Sequence, residues 1–341
     1  MLDCAGMPRP NLVVCAGQEL LDSFFPPAQQ QRLTRLFRWQ RDGALKVTPA
    51  LRRKLLTAEA LITTWDSPQF SEDLPRLAPQ LRIIAHCGGE VKSRFARSLF
   101  NELTITNAPV PMARATAEMG ATLLLYCARN LDYYRDELRT RSNSIYEKVH
   151  RHGAPESMIG REVAMIGFGR IGRALVDLMR GFDLQWLVYD PYVPKSFAKR
   201  YPVRFTSLQT LLPKAKLLVL TAALTDETRG LLSAASLSRL PDGAAVINIA
   251  RGGLLDLRAL TREVQRKRLR CAIDVTDPLE PLRVGHPLRN LSGAILTPHI
   301  AASNFRVRQE IADVVMDDLE NFFRRRRVNN RVTNAMLERM T

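Results

Sequence analysis

The sequence predicts an α/β protein built from two parallel-sheet layers in tandem. Short apolar runs recur along the chain, each followed by a turn and a stretch with helical periodicity. In the second half these runs are almost continuously apolar rather than alternating, as parallel strands covered on both faces should be. A length of 341 residues, 46% apolar and 25% charged, suffices for about two domains of ordinary size.

In chain order, the first strand signals are "NLVVCAG", "ALITTW", "LRIIAHC" and "LTITNA". A long helix is then expected from about Met112 to Arg139, followed by a polar segment to about Gly160 that reads as a linker and partner surface. The second series is "EVAMIGFG", "WLVYD", "KLLVLTA", "AAVINIA", "CAIDV" and "AILTPH". A C-terminal amphipathic helix places Val307, Ile311, Val314, Val315, Leu319, Phe322 and Phe323 on one face, which must pack against a partner element.

The net charge of +16 suits a polyanion binder, but the 41 Arg and 9 Lys are spread along the chain in "RLTRLFRWQR", "LRRKLL", "TREVQRKRLR" and "FFRRRR". They are read as solvated helix faces, and a nucleic-acid partner is not expected. Cysteines 4, 15, 87, 127 and 271 show no metal or redox spacing, so no metal site and a reducing, cytoplasmic setting are expected. No apolar signal region opens the sequence and no run of 18 apolar residues occurs, so neither secretion nor membrane spanning is expected.

"VAMIGFGRIGRALVDLM" puts Gly167, Gly169 and Gly172 directly after a strand and at the start of a helix. In this G-x-G-x-x-G context Gly167 permits the tight turn, Gly169 admits a pyrophosphate to the backbone amides, and Gly172 lets helix and strand pack closely. The next strand ends on Asp190, 18 residues beyond Gly172, where an acid would bind the ribose hydroxyls of a dinucleotide. That acid would repel a 2'-phosphate and no Arg immediately follows it, so NAD is favoured over NADP.

In open α/β sheets ligands gather beyond the carboxyl ends of strands. Three such ends carry Arg251, the acids of "CAIDVTDPLEPL", and His299. An Arg can hold a carboxylate bidentately, and a His supported by a carboxylate can trade a proton with a hydroxyl or carbonyl oxygen. The set suits hydride chemistry on a 2-oxo acid. Of the other histidines, His86 follows "LRIIA" and could face a cleft.

Seven motifs in order, "NAPVPMARATAEM", "IGFGRIGRAL", "LTDETRGLLS", "INIARGGLLD", "AIDVTDPLEPL", "HPLRNL" and "AILTPHIAAS", make the chain resemble the D-isomer-specific 2-hydroxyacid dehydrogenases. The resemblance implies two Rossmann-like domains: a flavodoxin-like substrate domain of residues 1–110 and 304–341, with an NAD-binding domain of residues 111–303 inserted. It also implies a homodimer. Arg251 would bind the substrate carboxylate and carbonyl, and His299 would be the acid/base, oriented and charged by a Glu. Asp274 would contact the nicotinamide carboxamide. The resemblance further places Arg170, Ile171, Ala222, Thr228 and Ala250 at the cofactor, and Cys87, Gly88, Gly89 and Lys92 at the substrate.

Two departures from the family pattern stand out. The Glu usually lies five residues after the strand aspartate, but here Leu279 takes that place and Glu280 comes sixth; Glu280, which keeps the Glu-Pro context, is favoured over Asp277 as the partner of His299. In the first half "AHCGGEVKSRF" replaces the usual glycine-rich loop, and Lys92 and Arg94 either grip a second anionic group or simply begin a solvated helix. The expected reaction is reversible NAD-linked reduction of a 2-oxo acid, weakening as pH rises and His299 loses its proton. The alternative is an NAD-sensing corepressor or scaffold with little turnover.

Overall fold

Parallel strands need crossover connections, and the chain supplies a helix or a helical turn between most of its strands. The computed structural model describes residues 9–140, 144–153 and 157–340. They divide into two compact units, one holding the residues up to Met112 and from Ser303 onward, the other Ala113–Ala302.

The first unit has five strands, β1 Asn11–Cys15, β2 Arg38–Asp42, β3 Ala60–Thr63, β4 Ile83–His86 and β5 Thr104–Asn107. All pairs are parallel, in the order β2-β1-β3-β4-β5, which is the flavodoxin-like arrangement. The helix Phe305–Phe323 completes this unit, burying Val307, Ile311, Val315, Met316 and Leu319 as its periodicity requires. It also buries Asp318, whose carboxylate accepts the Asn329 N–H at 3.1 Å and the Asn330 side-chain amide at 2.9 Å, tying down the tail that follows.

The second unit has seven parallel strands, β6 Glu162–Ile166, β7 Gln185–Tyr189, β8 Val203–Phe205, β9 Leu217–Leu220, β10 Ala245–Asn248, β11 Arg270–Ile273 and β12 Ala294–Leu296. Their order, β12-β11-β10-β9-β6-β7-β8, reverses direction between β6 and β9, which makes that gap the topological switch point. Alternate residues feed separate cores: Ile166, Leu218, Leu220 and Val246 join one cluster, and Met165, Leu217, Val219 and Ile247 the other. The continuous apolar runs follow from this two-sided burial, worth roughly 1.5–3 kcal/mol for each large side chain.

The long helix expected from Met112 to Arg139 is in fact two, Pro109–Ala128 and Leu131–Thr140. Asn130 stands between them at φ +50°, a left-handed conformation that asparagine tolerates and that ends a helix. Gly120 sits where the first of these helices meets the sheet: a Cβ there would lie 2.6 Å from Ile249 Cδ1. The polar segment expected to run to Gly160 contains a further helix, Ser144–His152; residues 141–143 and 154–156 of it lie outside the described residues.

Candidate active site

The glycine loop leaves β6 at the switch point. Gly167 has φ +92°, and a Cβ there would lie 2.4 Å from the backbone N and Cα of Ala222, just past β9, so both its conformation and its neighbour demand glycine. Gly172 is also closely packed, since a Cβ there would lie 2.8 Å from Gly167 O. Gly169 differs, since a Cβ there would meet nothing within 4 Å. It faces open space at the start of the helix Arg170–Leu178, whose N-terminus carries no side-chain cap. Such a cradle fits a pyrophosphate on grounds of space and of partial positive charge.

Asp190 is tied into this cradle. Its Oδ2 accepts the Phe168 N–H at 2.7 Å and its Oδ1 the Tyr192 N–H at 2.9 Å. Phe168 is buried edge-on to Tyr201 and Phe205. Thr221, which the sequence reading passed over, donates its hydroxyl to Gly167 O at 2.6 Å. Of the other residues expected at the cofactor, Arg170 is exposed and Ile171 half-buried, while Ala250 is buried in the core. The Thr228 hydroxyl is spent on its own turn, donating to Ala223 O at 2.7 Å and accepting from Thr225 N at 2.8 Å.

Arg251, the strand-end acids and His299 follow β10, β11 and β12, three neighbours in the sheet. Fully buried Asn248 shapes the Arg251 turn, accepting the Ala250 N–H at 3.0 Å and donating to Arg251 O at 2.9 Å. Arg251 itself is half-buried, with Nη1 donating to Ala250 O at 2.8 Å. Gly252 must be glycine because a Cβ would fall 2.2 Å from the Thr276 carbonyl carbon.

His299 Nδ1 lies 2.7 Å from Glu280 Oε2, and the other carboxylate oxygen, Oε1, accepts the Thr276 N–H at 3.0 Å. With Glu280 ionised, Nδ1 donates and Nε2 is left as the nitrogen able to exchange a proton. Their side chains are 47% and 36% exposed, so this pair is wet and its value is orientation more than stability. The extra loop residue is absorbed by a turn: Thr276 Oγ1 donates to Leu279 O at 2.6 Å, and the Leu279 side chain is displaced toward solvent at 56% exposure. Asp277 goes elsewhere, to Arg229 at 3.3 Å, where the pair overlies Gly253.

Asp274 is 2% exposed. Its Oδ1 accepts from Thr297 Oγ1 at 2.6 Å and Ile300 N at 2.9 Å, its Oδ2 from Ala301 N at 3.0 Å, and its carbonyl from His299 N at 2.9 Å. These bonds hold the loop that carries His299, at φ +55°.

In the first unit, β4 ends on His86. It is buried, with Nδ1 2.9 Å from Thr63 Oγ1, and burial together with nearby Arg94 pushes its pKa down to about 3, so it stays neutral. The Cys87 thiol is buried as well, and burial pushes its pKa up. Gly88 is pinned between His86 and Trp65, since a Cβ would lie 2.5 Å from His86 Nε2 and 3.1 Å from Trp65 Nε1. Gly89 O accepts from Asn107 Nδ2 at 2.7 Å. Lys92 is exposed. Arg94 is not available to grip a substrate: its guanidinium donates to the carbonyls of Trp65 and Ser67, closing the turn after β3.

Residues 121–301, more than half of the sequence, match the family model described as D-isomer specific 2-hydroxyacid dehydrogenase, NAD binding domain. The chain belongs to the D-isomer specific 2-hydroxyacid dehydrogenase family. Among its relatives is a D-3-phosphoglycerate dehydrogenase of Archaeoglobus fulgidus, 27% identical over 84% of this chain and 53% of that protein. The chain thus spans about half the length of that relative. A glyoxylate reductase of Korarchaeum cryptofilum is 29% identical over 78% of this chain and 80% of its own. The crystal structure of the TT0316 protein from Thermus thermophilus superposes with a TM-score of 0.73 at 26% identity, covering 95% of this chain and all of that one. For this family member the cradle of Gly167, Gly169 and Gly172 belongs to the NAD-binding domain, and the cofactor is NAD. Among the described residues no helix is long and apolar enough to cross a membrane.

Proposed function

We propose that this chain reversibly interconverts a 2-oxo acid and a D-2-hydroxy acid. The observation that carries the reading is the 2.7 Å contact between His299 Nδ1 and Glu280, on a sheet whose neighbouring strand end carries Arg251. Gly167, Gly169, Gly172 and Asp190 would hold the NAD, with Arg170, Ile171, Ala222, Thr228 and Ala250 around it. The bound nicotinamide supplies or accepts the hydride.

The chain's own residues do the rest. Arg251 holds the substrate carboxylate and polarises the carbonyl oxygen. Glu280, itself fixed by the Thr276 N–H, engages His299 Nδ1 and so orients the ring with Nε2 free to face the substrate. His299 Nε2 then gives a proton to the carbonyl oxygen in reduction and removes it from the hydroxyl in oxidation. Backbone groups around Gly88 and Gly89, with Lys92 exposed nearby, would bear on substrate choice.

The family also leads us to propose a homodimer, supported by exposed Leu131, Tyr133, Leu138, Tyr146 and Ile159 in the second unit. Free, buried Cys15, Cys87, Cys127 and Cys271 support a reducing, cytoplasmic setting.

The test is NADH consumption by the purified protein against glyoxylate, hydroxypyruvate, phenylpyruvate and 2-oxoglutarate. Turnover of at least one acid is expected. Tight NADH binding with no turnover of any 2-oxo acid would replace this reading with a sensing role.

A further inference from the structure

We propose that Asp274 is the positioning residue of His299, a role that rests on the reading of His299 as the acid/base. The family resemblance assigns this aspartate to the nicotinamide, but the bonds it makes point to the loop. Within five residues, Thr297 to Ala301, four donors converge on Asp274: the Thr297 hydroxyl and Ile300 N–H on Oδ1, the Ala301 N–H on Oδ2, and the His299 N–H on its carbonyl. Their lengths run from 2.6 to 3.0 Å. A carboxylate is the one small side chain that can accept from three separate donors while donating to none.

The loop needs such a holder. His299 sits at φ +55°, where a residue with a Cβ is disfavoured and persists only if its surroundings over-determine it. Consecutive N–H groups bound to different oxygens of one carboxylate fix the rotation of that backbone, and with it the direction in which the imidazole leaves the loop toward Glu280. Asp274 is itself anchored by its N–H to Asn248 O at 2.9 Å, and the Asn248 side chain sets the Arg251 turn. Asn248 and Asp274 therefore align the turn that carries Arg251 with the loop that carries His299.

Asp274→Asn turns one acceptor into a donor facing N–H or O–H groups, and Thr297→Val removes a single bond from the same cradle without touching Asp274. Thr297→Ser keeps the hydroxyl and is the conservative control. Displacing a proton donor by about 1 Å can cost on the order of a hundredfold in rate. The expected result is a kcat lowered about a hundredfold in Asp274→Asn and several-fold in Thr297→Val, with Thr297→Ser near wild type. The NADH Kd, read by fluorescence, should stay within about twofold throughout. The primary isotope effect from deuterated NADH should rise as kcat falls, which a mere loss of folded protein would not cause.

Amide hydrogen exchange over residues 297–301 reads the cradle independently of turnover, so an inactive wild type would defeat the proposed function and leave this test standing. Exchange there should quicken at least tenfold in Asp274→Asn and measurably in Thr297→Val. Unchanged exchange in both variants would overturn the proposal. So would an Asp274→Asn enzyme that loses NADH affinity in step with its rate while Thr297→Val behaves as wild type.

Discussion

Glu280 reaches His299 at 2.7 Å even though it stands six residues after Asp274. The extra residue costs nothing in alignment, because the Thr276–Leu279 bond folds it into a turn and the Thr276 N–H holds the carboxylate that follows. Of the three acids at this strand end, Asp274 holds the loop, Asp277 pairs with Arg229, and Glu280 meets the histidine.

Glu280→Gln should therefore lower kcat/KM by roughly 10²–10⁴-fold, the range for losing support of a general acid/base, with NADH binding intact. Asp277→Asn should cost under about 1 kcal/mol of stability, since its pair with Arg229 is 45% and 58% exposed, and should lower turnover far less. Steady-state kinetics and urea unfolding on the two variants check this. An inactive Asp277→Asn beside a near-normal Glu280→Gln would exchange the two roles.

The glycines of the cradle should part company. Gly167→Ala forces a Cβ onto the Ala222 backbone at positive φ and should destabilise the second unit by about 2 kcal/mol or more. Gly169→Ala meets no atom within 4 Å and sits at φ −72°, so it should fold normally, yet weaken NADH about tenfold or more by filling the pyrophosphate space. Melting curves and fluorescence titration separate the two effects.

Buried His86 should make the protein acid-sensitive. Its folded pKa lies near 3, against 6.5 when unfolded, so between these values the unfolded chain takes up a proton that the folded one refuses. Stability is thus complete above pH 6.5 and declines as the pH falls toward 3, by up to about 5 kcal/mol at 1.36 kcal/mol per unit. Urea unfolding at stepped pH should show this decline, and His86→Asn should flatten it.

Much of the fold was legible because parallel strands buried on both faces leave continuous apolar runs, and because Gly167, Gly169 and Gly172 carry a spacing tied to backbone geometry. The helix break at Asn130 was not, since one asparagine in αL interrupts no hydrophobic pattern. Arg251, Glu280 and His299 stood out as charged or titratable groups at strand ends. The residues that hold them, Asn248, Thr276 and Thr297, are short and polar and act through backbone partners that only the folded chain brings together. The same blindness applied to Arg94 and His86, whose residue types drew attention but whose partners decide what they can do: carbonyls for Arg94, burial and the Thr63 hydroxyl for His86.

The role of His299 is tested most simply by comparing wild type with His299→Gln in NADH consumption on the 2-oxo acid that the wild type turns over fastest. If His299 is the acid/base, His299→Gln loses at least about a thousandfold in kcat while its NADH Kd is unchanged. Equal rates in the two proteins would contradict it.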